Sequence, residues 1–386
     1  MSTELQSLPS ESWDWTESSH NNTQAPTIGA VKPEVNSMLE NEFYTQDRHG
    51  PFEYFELDNF LLESGEVLVD AKLAYAIHGK LNEAKDNAIL FTIMFSGTSK
   101  NMEHYIGEGL ALDPAKYCII LPNQLGNGLS TSPQNANKTQ AMSRFPKLSI
   151  GDDIEAQHRL LTERFGIKEL QLVTGWSMGA QQTYEWAIRY PEMVIRAVPI
   201  GGTARCTPHD RLYVEVFCEA LKSDTAWENG EYTEPHACQL GLKRLARVFA
   251  LMGCSAEFYK HEHWKRLGFE SLQQCLTDFW EAWFLPMDPN ALLAMAEKWK
   301  NGDSSASYEG GLEKALKRIT AKTHVIAFEK DMFIPVEDCR YEQQCIAESE
   351  LKIIPSSMGH FSMLGCFEED FSSIDNIFRE ILSQNL

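Results

Sequence analysis

Gly175-Trp176-Ser177-Met178-Gly179 is the feature that most constrains this chain. It lies between a short apolar run, Gln171 to Thr174, and a helix-compatible segment reaching Arg189. Gly-x-Ser-x-Gly in that setting predicts a nucleophile elbow, a tight strand-to-helix turn that lifts one serine out of a sheet. The two glycines let strand and helix approach where larger side chains would clash. Ser177 is expected in a strained conformation with its hydroxyl exposed. The helix start behind it favours developing negative charge.

A turn of that kind needs a parallel sheet around it, and the flanking sequence supplies one. Phe52–Leu57 and Val67–Ile77 read as an opening antiparallel hairpin. Ala88–Phe95 and Tyr117–Pro122 are continuously apolar, as strands covered on both faces are. Ile150–Phe165 reads as an amphipathic helix, with Asp152 and Asp153 suited to its positive start. Further strands are expected at Met193–Ile200, Thr323–Phe328 and Leu351–Ile354, with helices over Val336–Ala347 and Phe367–Leu382. This alternation predicts an α/β fold with a mostly parallel sheet and helices on both faces.

Between about 203 and 311 the alternation stops. The sequence there turns helical and aromatic, with helices expected near 208–223, 237–253, 271–284 and 290–300. This segment is expected to form a helical lid inserted over the site. Most of its tryptophans read as ordinary core. Residues 1–42, rich in Ser, Asn, Thr, Glu and Gln without apolar period, are expected to be a disordered polar tail. Residues 43–386 form the remaining domain.

A serine hydroxyl is a weak nucleophile near neutral pH and needs a base, which in turn needs an orienting acid. In α/β-hydrolase order the acid and then the histidine follow the serine, in loops after later strands. Asp331 follows the Thr323–Phe328 strand, with Asp338 and Glu329 in reserve. His360 follows the last strand, behind Gly359. Donors for an oxyanion are expected from the Met178 amide and from the turn Ser96-Gly97-Thr98, with Ser96 and Thr98 as candidates.

Val173–Ala187 with Tyr190-Pro191, Gly107–Asp113 with Tyr117, Gly126–Ser130, and Trp227–Tyr232 followed by Gly241-Leu242 together resemble the homoserine O-acetyltransferase family of α/β-hydrolases. The resemblance runs from about residue 50 to the C-terminus. It implies a Ser177–Asp331–His360 triad and acyl transfer through an acyl-enzyme. Two departures bear on substrate. Members that use homoserine carry Asp directly after the catalytic His, where this chain has Phe361. They also carry a lid Arg that meets the substrate carboxylate, where an ungapped reading places Cys218. Phe361, Cys218 and Trp176 are therefore the candidate substrate contacts, in a site suited to an apolar molecule.

The expected function is a serine hydrolase cleaving an ester or thioester of a small, fairly apolar molecule. The alternatives are an O-acyltransferase carrying acyl groups from acyl-CoA to an alcohol other than homoserine, and a catalytically silent binding protein on the same fold. No cofactor is expected. His261-Glu262-His263 lacks the spacing of a metalloprotease helix, and no metal site is assigned. The formal net charge of −21 argues against nucleic acid and anionic lipid as partners. No apolar run is long enough to span a membrane. Nine scattered cysteines without C-x-x-C spacing suit a reducing, cytoplasmic setting. A homodimer through the lid is admissible.

Overall fold

The computed structural model describes Leu39 and residues 41–384. Most of the expected polar tail lies outside the described residues, including Trp13 and Trp15. Its end does not: Asn41 is buried and donates its side-chain amide to the Pro286 carbonyl at 3.2 Å.

Eight strands form one sheet: β1 Glu53–Leu61, β2 Val67–His78, β3 Ala88–Thr92, β4 Cys118–Pro122, β5 Leu172–Trp176, β6 Arg196–Ile200, β7 Lys322–Phe328 and β8 Ser349–Ile354. Their spatial order is β1-β2-β4-β3-β5-β6-β7-β8. β1, β2 and β4 pair antiparallel and the remaining neighbours are parallel. All residues of β3 to β6 are buried, so helices or loops cover both faces of the centre. The exchange of β3 and β4 places the C-terminal ends of β3 and β5 side by side. Ligand sites form at such a reversal of strand order.

The body helices are α1 Ile150–Arg159 and α2 Met178–Arg189. Helices α3 Pro208–Lys222, α4 Gln239–Gly253, α5 (272–284) and α6 Pro289–Lys300 come from the segment between β6 and β7. The chain closes with α7 Val336–Gln343 and α8 Glu368–Ser383. The middle of α5, Leu276–Glu281, is π-wound. Helix starts follow capping chemistry. Ser149 and Asp152 form a reciprocal box on α1, and Thr207 and Asp210 one on α3. Asp152 and Asp153 both lie in the first turn of α1, as expected, and Asp153 has a second role there. It is fully buried, and its carboxylate accepts from Leu125 N at 2.8 Å and pairs with Lys298 on α6.

Candidate functional site

β5 ends at Trp176 and α2 begins at Met178, so Ser177 alone makes the turn, at φ 59° and ψ −117°. The glycines around it are sterically required. A Cβ on Gly175 would stand 2.5 Å from the Gly179 carbonyl oxygen, and one on Gly179 would stand 2.6 Å from that of Thr92. Ser177 N donates to Ile200 O at 2.8 Å, which fixes the strained residue to the next strand.

His360 Nε2 lies 2.8 Å from Ser177 Oγ, and His360 Nδ1 lies 2.7 Å from Asp331 Oδ2. All three residues are at least nine-tenths buried. Asp331 follows β7, and its other oxygen accepts from Phe333 N at 2.8 Å and Ile334 N at 2.9 Å. Those two amides hold the carboxylate facing the ring. A carboxylate only accepts, so the imidazole proton sits on Nδ1 and Nε2 is left to accept from the serine hydroxyl. His360 is carried by a tight turn after β8. Gly359 has φ +56°, and a Cβ there would lie 2.9 Å from Lys330 O. The ring is flanked by Trp176 and Phe333, with centroids 5.3 and 4.7 Å away.

A pocket of about 330 Å³, mouth included, opens on Ser177 and His360. Its walls are Met94, Phe95, Ser96 and Trp176 from the sheet side, Phe249, Trp283 and Trp299 from the helical segment, and Phe333 and Phe361 from the later loops. His360 is the one titratable side chain among them. Such a lining suits a small apolar molecule and offers no charge to a zwitterion.

Ser177, Asp331 and His360 come together. Trp176 and Phe361 line the pocket, with Phe361 wedged between Trp176 and Trp280 at centroid distances of 5.5 and 4.7 Å. Cys218 does not reach it. It lines a separate groove between α3 and α6 with Glu215, Glu219, Lys222, Glu297 and Lys300.

Ser96 is on the pocket wall at φ 57°, its hydroxyl receiving the Trp283 indole N–H at 3.0 Å. Thr98 is engaged elsewhere: its amide donates to Asn101 Oδ1 at 2.8 Å, and its hydroxyl meets His49 Nδ1 at 3.0 Å. Gly97 N donates to Met94 O at 3.2 Å. Among the described residues of this turn, the amides of Phe95 and Ser96 make no hydrogen bond. Met178 opens α2, so its amide has no intrahelical acceptor. Phe95 was missed from sequence. The available signal was its place just beyond the end of a buried strand. Phe249, Trp283 and Trp299 share their spacing with core residues, which hid their position on the wall.

One cluster of metal-ligating types exists among the described residues: His324, Glu350 and Glu380, with donor atoms within 4.8 Å of one another. The Lys352 ammonium already bridges the two carboxylates at 2.8 and 2.7 Å, so a protein cation balances them. All nine cysteines are unpaired.

A family model described as alpha/beta hydrolase fold matches residues 93–364. The chain belongs to the α/β hydrolase family. This hydrolase is 49% identical over 344 residues to an ethyl acetate hydrolase from Pseudomonas veronii, covering 89% of this chain and 99% of the relative. The crystal structure of an acetylester hydrolase from Corynebacterium glutamicum superposes with a TM-score of 0.88 at 47% identity, over 90% of this chain and all of that one. A homoserine O-acetyltransferase from Methanobrevibacter ruminantium is 31% identical over 311 residues, 73% of this chain and 63% of that protein. The acetyltransferases are thus the more distant branch. The chain is an enzyme of the ester-cleaving type, a serine hydrolase on the α/β-hydrolase fold. No helix among the described residues is long and apolar enough to cross a membrane.

Proposed function

We propose that this enzyme hydrolyses acetyl esters of small apolar alcohols through an acetyl-enzyme on Ser177. The observation that carries the reading is the hydrogen-bonded line from Ser177 through His360 to Asp331 at the floor of an apolar pocket. Ser177 Oγ attacks the ester carbonyl as its proton passes to His360 Nε2. The amides of Met178 and Phe95, two of the unpaired donors at this end of the sheet beside that of Ser96, receive the developing oxyanion. His360 then returns the proton to the departing alkoxide, and the alcohol leaves. A water gives its proton to the same nitrogen, attacks the acetyl carbonyl, and restores the serine as acetate departs. Asp331 keeps the ring in the required tautomer throughout.

The restriction to short acyl groups rests on the aromatic walls and on the acetyl-ester relatives. The segment from about 203 to 311 serves as the lid, because Phe249, Trp283 and Trp299 close the pocket from it. Transfer to an amino-acid alcohol is disfavoured, since Phe361 stands beside His360 and no ionic partner for a zwitterion lines the pocket. Acetyl-CoA, a thioester of the same acyl group, is a further candidate donor. The unpaired cysteines support a reducing, cytoplasmic location.

The test offers ethyl acetate, p-nitrophenyl acetate and acetyl-CoA, each with and without millimolar homoserine, and identifies products by mass spectrometry. Free acetate from the esters, with no O-acetylhomoserine, is expected. O-acetylhomoserine formed at kcat/KM near ~10⁴ M⁻¹s⁻¹, an ordinary enzyme's value, would overturn the hydrolase reading.

A further inference from the structure

Beneath the proposed oxyanion turn lies a buried polar network that the triad does not use. The Ile93 carbonyl oxygen accepts from two glutamine side chains, Gln124 Nε2 at 2.6 Å and Gln182 Nε2 at 3.1 Å. Gln124 comes from the loop after β4, and Gln182 from α2, one turn beyond Met178. Both are fully buried.

The orientation of each amide is fixed by a partner that can only donate. Trp186 Nε1 donates to Gln157 Oε1 at 2.8 Å, so the Gln157 amide nitrogen faces outward and donates to Gln182 Oε1 at 2.6 Å. That turns the Gln182 nitrogen toward Ile93. On the other side, the Lys298 ammonium donates to Gln124 Oε1 at 3.2 Å and to Leu125 O at 2.7 Å, while pairing with Asp153. That turns the Gln124 nitrogen toward the same carbonyl. Two chains of one-way donors, from an indole and from an ammonium, thus end on the two lone pairs of Ile93. Gln157, Trp186 and Lys298 are fully buried as well, so water does not compete for these groups.

The consequence falls on the next peptide unit. Met94 O receives Gly97 N at 3.2 Å and lies 3.5 Å from Gln124 Nε2. A trans peptide points its N–H opposite to its carbonyl, so Met94 O, held by Gly97 N and Gln124 Nε2, aims the Phe95 N–H the other way, while the two bonds on Ile93 O fix the preceding peptide unit from which this one hangs. Phe95 lies on the pocket wall, and its amide has no hydrogen-bond partner among the described residues.

We propose that Gln124 and Gln182 are positioning residues that aim the Phe95 amide at the oxyanion, and that Lys298 couples this aim to α6 of the lid. The inference rests on the acetyl-enzyme reading above. It predicts that catalysis is sensitive to fully buried groups that touch neither substrate nor triad.

The test uses Gln124→Met and Gln182→Met, which keep volume and remove the N–H. Trp186→Phe frees Gln157 to flip, and the pair Lys298→Met with Asp153→Asn removes the ammonium without leaving a lone buried carboxylate. Each is assayed for kcat and KM with p-nitrophenyl acetate. Each is also assayed for binding of an alkyl trifluoromethyl ketone, whose hemiketal on the nucleophilic serine carries an oxyanion. Fluorine NMR follows the titration of that hemiketal. Expected are a fall in kcat of about 10-fold or more with KM within about 3-fold, a parallel loss of ketone affinity, and a hemiketal that ionises at higher pH than in the parent. A merely structural role would lower melting temperature and leave the hemiketal titration unmoved. Folded Gln124→Met and Trp186→Phe enzymes with kcat and hemiketal titration like the parent would overturn this inference alone. A parent that forms no hemiketal on Ser177 would overturn the acetyl-enzyme reading and this inference with it. Should Gln124→Met not fold, Trp186→Phe carries the decision.

Discussion

The indole N–H of Trp283, on α5, donates to the hydroxyl of Ser96 across 3.0 Å, joining the helical segment to the turn after β3. Both residues line the pocket, so this contact closes one side of its wall.

Trp283→Ala should therefore lengthen the acyl group the enzyme accepts. The ratio of kcat/KM for p-nitrophenyl hexanoate over acetate should rise about 10-fold or more, since each methylene in an apolar pocket is worth roughly that factor. Trp283→Phe keeps the wall and removes only the N–H, so it should leave the ratio near the parent value. A chain-length profile untouched by Trp283→Ala would place the acyl group elsewhere.

Asp331→Asn should be nearly isosteric and still disabling. The amides of Phe333 and Ile334 demand an acceptor, so the new side chain would keep its oxygen on them. Its NH₂ would then face His360 Nδ1 and force the ring proton onto Nε2, which could no longer accept from Ser177. A kcat loss of about 10⁴-fold with little change in KM is expected, the scale seen when a triad histidine is held in the wrong tautomer. A loss below about 10-fold, measured on p-nitrophenyl acetate, would remove Asp331 from the orienting role.

Glu342, on α7, gives a pH signature. It is fully buried, and its carboxylate accepts from Ala204 N at 2.8 and 3.0 Å. Burial outweighs those bonds and pushes its carboxyl from the ordinary 4.5 up to about 8. The folded state therefore holds this proton more tightly than the unfolded chain. The resulting stability is fully present below about 4.5 and is lost as pH rises through about 8. The melting temperature should fall between pH 6 and pH 9, and Glu342→Gln should flatten that fall by several degrees, roughly 2–4 °C per kcal/mol. An identical slope in the variant would assign the loss to other groups.

The sheet and the triad were legible because each leaves a local mark. β3 and β4 are almost wholly apolar, and Ser177, Asp331 and His360 each sit in a turn or loop that follows a strand. What stayed hidden depends on contacts between distant segments. Cys218 lines the groove between α3 and α6 and not the pocket, which the packing of those helices decides. Asp153 sits where a helix start welcomes a carboxylate, yet its partner, Lys298, lies 145 positions away. Thr98 sat in the right turn, but Asn101 and His49 claim its amide and hydroxyl. Gln124, Gln157 and Gln182 read as ordinary polar residues, because nothing local shows that a glutamine is wholly buried. Trp283 and Trp299 could not be told from core tryptophans, since the walls of an apolar pocket obey the same periodicity as the core around it.

If Ser177 carries the acyl group, rapid-quench mass spectrometry of the enzyme with p-nitrophenyl acetate will catch it there. One acetyl group per chain is expected within the first turnover, on the peptide containing Ser177, decaying at the rate acetate appears. Ser177→Ala should show no adduct and a kcat lower by about 10⁴-fold or more. Turnover that proceeds with no acetyl group on Ser177, or that survives Ser177→Ala in folded protein, would contradict it.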